Sequence, residues 1–210
     1  MPAYDLPPER LERWLARWGE RHGGIAGAQG TPEAVTFTGA DGATVRCEPP
    51  FPPLAEAASL AALLTHVGWR RRVGVVLVRL GGFAVGIFDG RELAVSKVGS
   101  RLVHGRHRAG GSSANRFRRR RENQARDALD AATATAVAIL AGPAANGELD
   151  AVVRGGDRRA VGEVLADPRL ARAAALAVER VLDVPDPRLK VLRATPDLFL
   201  ATRVVPDEPA

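Results

Sequence analysis

Hydrophobic and polar residues change their period several times along the chain, and each change marks an element. From Leu6 to Arg21 the apolar residues Leu11, Trp14, Leu15 and Trp18 recur at helical spacing, with Pro7 and Pro8 where a first turn tolerates them. Gly23, Gly24, Gly27 and Gly30 then predict a loop. AVTFTGADGATVRCE, Ala34 to Glu48, alternates around Asp41-Gly42 and predicts a hairpin. PPFPP, Pro49 to Pro53, is a stiff connector, and the alanine- and leucine-rich run Leu54 to Val67 predicts a helix ending before Gly68.

The central block is the most strand-like. Val73 to Leu80 is a nearly continuous apolar run, Gly81-Gly82 turns it into Phe83 to Phe88, and Asp89-Gly90 turns again into ELAVSKVGSRLV. Two tight turns between three such runs predict an antiparallel meander. After the loop His104 to Gly111 a long helix is expected from about Ser113 to Leu140, capped by Ser112 or Ser113 and stopped at Gly142-Pro143. Its apolar stripe is Phe117, Ala125, Ala128/Leu129, Ala132, Ala136 and Ile139/Leu140, supported by the i,i+4 pairs Glu122/Arg126 and Arg126/Asp130. Further on, Leu149 to Val153 reads as a strand, Arg158 to Leu165 and Leu170 to Leu182 as helices, and LKVLRA and LFLATRVV as strands. Strands, a long helix, then helices and strands again imply an α/β layer fold. The expected division is an N-terminal appendage over 1–66, a main domain over 67–205 and a loose tail over 206–210, with no internal repeat.

Charge changes this picture in one place. The chain carries 30 Lys+Arg against 24 Asp+Glu, a net +6, which favours anionic partners, nucleic acid ahead of membrane. Only Lys97 and Lys190 are lysines, so abundance of arginine alone says little; its location says more. From Leu93 to Arg121 there is no Asp or Glu, while Lys97, Arg101, Arg106, Arg108, Arg116, Arg118, Arg119, Arg120 and Arg121 contribute nine positive charges. The remaining residues then sum to −3, so the basicity is a local patch on a mildly acidic body. Cys47 is the single cysteine, which excludes an intrachain disulfide and a cysteine-based metal site. A reducing compartment fits, the N-terminus lacks an apolar signal region, and a cytoplasmic location is expected, with no membrane partner.

The informative segment is HGRHRAGGSSANRFRRRRENQA, His104 to Ala125. It is a glycine-hinged basic loop feeding into a helix N-terminus. Gly110 and Gly111 permit backbone conformations and close approaches that Cβ-bearing residues resist, and a helix start offers unpaired N–H groups to an anion. Arginines 118 to 121 span more than one helical turn, so most must face solvent or a ligand. Candidate RNA contacts are therefore Arg101, His104, Arg106, His107, Arg108, Arg116 and Arg118 to Arg121.

The run Gly110-Gly111-Ser112-Ser113-Ala114-Asn115-Arg116-Phe117 resembles the central domain of archaeal and eukaryotic class-1 peptide release factors, whose GGQ loop precedes a helix carrying S-A-x-R-F. Within that group it is similar to the actinobacterial branch of the Vms-like release factors, stand-alone peptidyl-tRNA hydrolases of ribosome rescue and quality control. The resemblance covers Val73 to Leu140 and extends to Thr195 to Val205; the first 50 residues lie outside it. It implies a mixed-sheet, ribonuclease-H-like fold without a cofactor. It also implies hydrolysis of the ester joining a nascent peptide to tRNA, with peptidyl-tRNA and large-subunit rRNA as partners. In that family a loop glutamine helps place the attacking water, and the gain comes from positioning and oxyanion stabilisation.

This sequence departs from the pattern at the loop. Ser112 stands where the GGQ register puts glutamine, and Ala114 and Asn115 match the position of the Vms-like loop glutamine; the only glutamines are Gln29 and Gln124. Two readings stay open. Backbone N–H groups, Ser112, Ser113 or Asn115 hold the water, making Gly110 to Asn115 the catalytic tip; or this member binds tRNA or the ribosome without cleaving. Ser112 and Ser113 are equally plain as helix caps. A third, weaker reading is a general basic RNA-binding protein with steep salt dependence. His104 and His107 have no Cys or acid nearby to complete a metal site. A two-metal nuclease would need clustered carboxylates, and only Asp89 and Glu92 lie at a central strand end. A P-loop and a nucleophile elbow are absent.

Overall fold

In a computed structural model of the chain, residues 3–54, 59–79, 82–100 and 113–207 are described, with side chains for all of these except 100 and 113–124. The first elements are β1 (Tyr4–Leu6), α1 (Pro8–Arg21), β2 (Ile25–Thr31), β3 (Ala34–Gly39), β4 (Thr44–Glu48) and α2 (Leu60–Gly68). The meander follows as β5 (Arg72–Arg79), β6 (Gly82–Asp89) and β7 (Glu92–Ser100). Next come α3 (Ser113–Ala136), a π-helical turn Val137–Ala141, α4 (Gly142–Ala145), β8 (Ala151–Gly156) and α5 (Arg158–Leu165). A 3-10 turn Pro168–Leu170, α6 (Ala171–Ala175), β9 (Ala177–Leu182), α7 (Leu189–Ala194), α8 (Pro196–Phe199) and β10 (Thr202–Asp207) complete the chain.

These elements form two compact units, residues 1–70 with 196–210, and residues 71–195. The division therefore falls at Arg70/Arg71, not at residue 66/67, and the C-terminal strand belongs to the first unit because β10 pairs antiparallel with both β1 and β4. Sequence distance hides such a pairing.

The first unit is a five-stranded antiparallel sheet in the order β1-β10-β4-β3-β2. Val35, Phe37, Val45 and Cys47 alternate onto one face and bury against Leu11, Leu15 and Trp18 of α1 and Leu63 of α2. Burial pushes the Cys47 thiol up to about 12. The Asp41-Gly42 turn closes as expected, with Asp41 Oδ1 accepting from the Ala43 N–H at 3.0 Å and Gly42 at φ 88°. The stretch Ile25–Thr31, expected as loop, is strand β2: its glycines deprive it of an apolar pattern, yet its backbone pairs along β3. Trp69 is 64% exposed just past α2.

The second unit holds a mixed sheet in the order β7-β6-β5-β8-β9. The meander β5-β6-β7 is antiparallel, while β8 runs parallel to β5 and β9 parallel to β8. A parallel pair needs a crossover, and the long helix supplies it. This is the mixed-sheet α/β arrangement, with a long helix after the meander, that the resemblance implies. β5 is buried on both faces. On one face Val76, Val78, Val85 and Ile87 meet Ala132, Ala136 and Leu140. On the other, α7 packs over β6 and β7. Gly74 is bare where a Cβ would come within 3.0 Å of Leu140 Cδ2.

Several local expectations change. The long helix passes Gly142-Pro143 because Pro143 sits in the first turn of α4, where its missing N–H costs no bond; Gly147, at φ 70°, follows its end. Residues Ala125–Ala145 are long and apolar enough to cross a membrane by composition, but Ala128, Ala132, Ala136, Leu140 and Ala144 turn one stripe of them into the core. Leu170 to Leu182 is not one helix, since Ala177–Leu182 leaves it to pair with β8. LKVLRA is helix α7, not strand: Leu192 is its buried anchor and Thr195 closes it by donating from N and Oγ1 to the Leu192 carbonyl. Arg126 and Asp130 make no ion pair among the described residues, as suits an exposed pair worth little.

Replacing Leu140 with alanine is expected to destabilise the second unit by about 2–5 kcal/mol, the range for an emptied core leucine site. Urea unfolding followed by circular dichroism reads this; a loss under ~1 kcal/mol would show that Leu140 is not the anchor of the helix.

Candidate nucleic-acid interface

The acid-free basic segment is carried by two elements of the second unit. β7 is the edge strand of the mixed sheet and is exposed along most of its length, with Val95 at 44% and Val98 at 37%. It ends at Ser100, opposite Gly82 of β6. The chain is next described at Ser113, where α3 begins. Arg101, His104, Arg106, His107, Arg108, Gly110, Gly111 and Ser112 lie outside the described residues. Ser113, Ala114, Asn115, Arg116, Arg118, Arg119, Arg120 and Arg121 lie on the backbone of α3, with their side chains outside the description.

Burial along α3 shows where the helix leaves its core. Among the α3 residues whose side chains are described, Ala128 is the first buried, and Ala125, Arg126 and Asp127 before it are exposed. Ala125 shares a face with Ala128, Ala132 and Ala136, so its exposure means that the sheet no longer lies beneath that turn. From Ala125 back to Ser113 the helix rises a further 18 Å or so, at about 1.5 Å per residue.

The register of β7 is set by a bulge. Asp89 pairs with Glu92 and Phe88 with Leu93, but Ile87 pairs with Val95, a slip of one residue. Counting straight from the Asp89-Gly90 turn would place Lys97 opposite Ala84; the slip places it opposite Val85, on the face that α3 covers. The same slip sets Gly99 opposite Phe83, whose ring occupies the space of a Gly99 side chain. The partners of both residues stay hidden in the sequence, because the bulge shifts the pairing. The aromatic ring over a bare strand position holds the last described turn before the basic connection.

Charge at this end of the sheet is otherwise neutralised internally. Arg79, at the end of β5, donates from Nη1 to the Val184 carbonyl at 2.7 Å and lies 3.6 Å from Asp183 Oδ1. Asp157 caps α5 by accepting from the Arg159 and Ala160 N–H groups. Asp89 and Glu92 stand at the opposite end of β7, roughly 26 Å from Ser100 at about 3.3 Å per residue. Among the described residues no three His, Cys, Asp or Glu side chains are grouped to hold a metal.

An edge strand and a long helix stand before and after the basic connection in this mixed α/β protein. The sequence model described as Actinobacteria/chloroflexi VLRF1 release factor matches residues 71–205, and the chain belongs to that family. No curated protein matches the sequence. Among solved structures, the crystal structure of the archaeal translation termination factor aRF1 is similar with 17% identity and a TM-score of 0.46, over 90% of this chain and 61% of that one. A structure described as an archaeal protein gives 17% and 0.38, over 78% and 51%. The chain thus spans about three fifths and one half of their lengths.

Gly99→Ala is expected to cost about 1–3 kcal/mol, the usual cost of overpacking, because the new methyl meets the Phe83 ring. Combining it with Phe83→Leu is expected to recover most of that loss. A Gly99→Ala protein as stable as wild type in urea would remove Phe83 as the clamp on β7.

Proposed function

We propose that this chain is a ribosome-associated release factor that hydrolyses peptidyl-tRNA in ribosome rescue or translation quality control. The observation that carries the reading is the acid-free segment Leu93 to Arg121 at the joint of β7 and α3, with nine positive charges, in a chain of the release-factor family. In this reading Arg106, Arg108, Arg116 and Arg118 to Arg121 grip tRNA or rRNA phosphates, with Arg101, His104 and His107 beside them. Gly110 and Gly111 let the loop adapt, and Ser112 to Asn115 form its tip. The setting of such chemistry is cytoplasmic.

The reaction transfers water to an ester. The water oxygen attacks the peptidyl carbonyl carbon, the bond from that carbon to the ribose oxygen breaks, the ribose oxygen takes a proton, and the peptide leaves as a carboxylic acid. The tip residues Ser112, Ser113, Ala114 and Asn115 include no strong base. Rate is therefore gained by fixing the water and by N–H or hydroxyl donors aimed at the developing oxyanion.

One observation favours a second reading, a tRNA or ribosome binder that does not cleave. Gln29 lies in β2 of the first unit, and Gln124 lies eleven residues along α3 from Ser113, about 16 Å at the usual rise. Neither can serve a loop tip as the family's glutamine does.

Release of labelled peptide from peptidyl-tRNA on stalled large subunits separates the two. The expected result is release by wild type that a Gly110→Ala/Gly111→Ala variant loses by at least tenfold. No release by wild type, with release gained by Ala114→Gln, would establish the binding-only reading. Absence of both release and subunit binding would overturn the assignment altogether.

A further inference from the structure

We propose that α1, in the first unit and outside the span matched by the family model, is a second nucleic-acid contact that takes an unpaired stretch of RNA. Trp14 is its stacking platform, and Arg10, Arg17 and Arg21 are its phosphate contacts. The proposal rests on the reading of this chain as RNA-directed and adds a site that the basic loop does not include.

Helical geometry gathers these four residues. Spacings of four, three and four put Arg10, Trp14, Arg17 and Arg21 on a single stripe within about 60° of arc. The core-facing side of α1 is taken by Leu11, Leu15 and Trp18, all buried, so the arginine stripe runs along its flank. Arg10, Arg17 and Arg21 are exposed, and none of them has an ion-pair partner among the described residues. A row of unneutralised guanidinium groups on a body that is otherwise net acidic has the charge complementarity of a phosphate track.

Trp14 differs from a core tryptophan. It is only half-buried, and the Tyr4 ring holds it edge-on at 5.7 Å with the planes 69° apart. Tyr4 is itself fixed in β1 by pairing with Val204 of β10. Burial raises the Tyr4 phenol, and the Arg21 charge opposes that shift, which puts this guanidinium beside the aromatic pair. Trp14, Arg17, Glu20 and Arg21 line an open hollow on the surface. The platform is thus held before any ligand arrives, and stacking on it loses little side-chain freedom. Glu20 also lines the hollow, and the phosphates follow the arginine stripe. An unpaired base fits a lone ring flanked by cations; a duplex, with its bases already stacked, gains nothing from Trp14.

The test uses the full-length chain with Arg118, Arg119, Arg120 and Arg121 changed to alanine, so that the basic helix no longer dominates. The probe is a fluorescein-labelled decauridylate, with a ten-base-pair RNA duplex as control, read by anisotropy. This background is expected to bind the single strand still, and Trp14→Ala within it to weaken that binding about tenfold while leaving the duplex unchanged. Arg17→Ala/Arg21→Ala, at exposed positions that the fold does not need, is expected to flatten the salt slope by about 1.4, two contacts at about 0.7 each. Decauridylate binding untouched by both variants would overturn the proposal, as would equal competition by polyglutamate, which would mark an acidic-protein surface. If the background loses all binding, this site is absent while the loop reading stands. If the background binds as wild type and the α1 variants abolish that, the loop reading fails and this site carries the affinity.

Discussion

The close approach of α3 to the mixed sheet through Ala132 and Ala136, locked at its end by Leu140 over Gly74, is the contact on which the second unit depends. Alanine contributes little burial per residue, so a helix with an alanine stripe is held by fit more than by area. The fit needs glycine at position 74 and leucine at position 140. The five-residue π segment lies where the stripe meets its largest side chain. The anchor that is described lies in the C-terminal half of α3, and the arginines lie in its N-terminal half.

The same division governs charge. Nine positive charges fall between Leu93 and Arg121, and the rest of the chain is net acidic. Internal carboxylates near the mixed sheet are engaged elsewhere: Asp157 in a helix cap, Asp183 with Arg79, and Asp89 and Glu92 at the far end of β7. A net acidic body biases a polyanion toward the basic segment and the arginine stripe on α1. Among the described residues of the first unit, the stripe on α1 is a comparable feature, beside the Tyr4–Trp14 aromatic pair.

Much of the fold was legible because local pattern and tertiary role agree. The Asp41-Gly42 and Asp89-Gly90 turns, the apolar run of β5 and the helix Arg158–Leu165 all follow from spacing and turn chemistry. Where long-range pairing decides, the pattern fails. β9 looks helical until β8 offers it an edge, α7 looks like a strand until Leu192 is given a sheet to cover, and β10 joins a sheet whose other strands lie more than 150 residues earlier. The basic segment was legible as charge, since composition survives any fold. Its supporting geometry was not: one bulged residue in β7 shifts Lys97 and Gly99 to partners that no count from the turn would give. Trp14 was legible as a helical residue but not as a half-buried one, because its spacing fits both the core stripe and the arginine stripe.

The central claim is that the arginines at the start of α3 are the protein's grip on ribosomal RNA. The direct measurement is the salt dependence of its binding to isolated large ribosomal subunits, for wild type and for the protein with Arg118 to Arg121 changed to alanine. The account predicts a steep linear fall of log K with log salt for wild type, and a variant weaker at low salt with a slope shallower by about one unit per lost phosphate contact. Equal affinity and equal slope for the two proteins would contradict it.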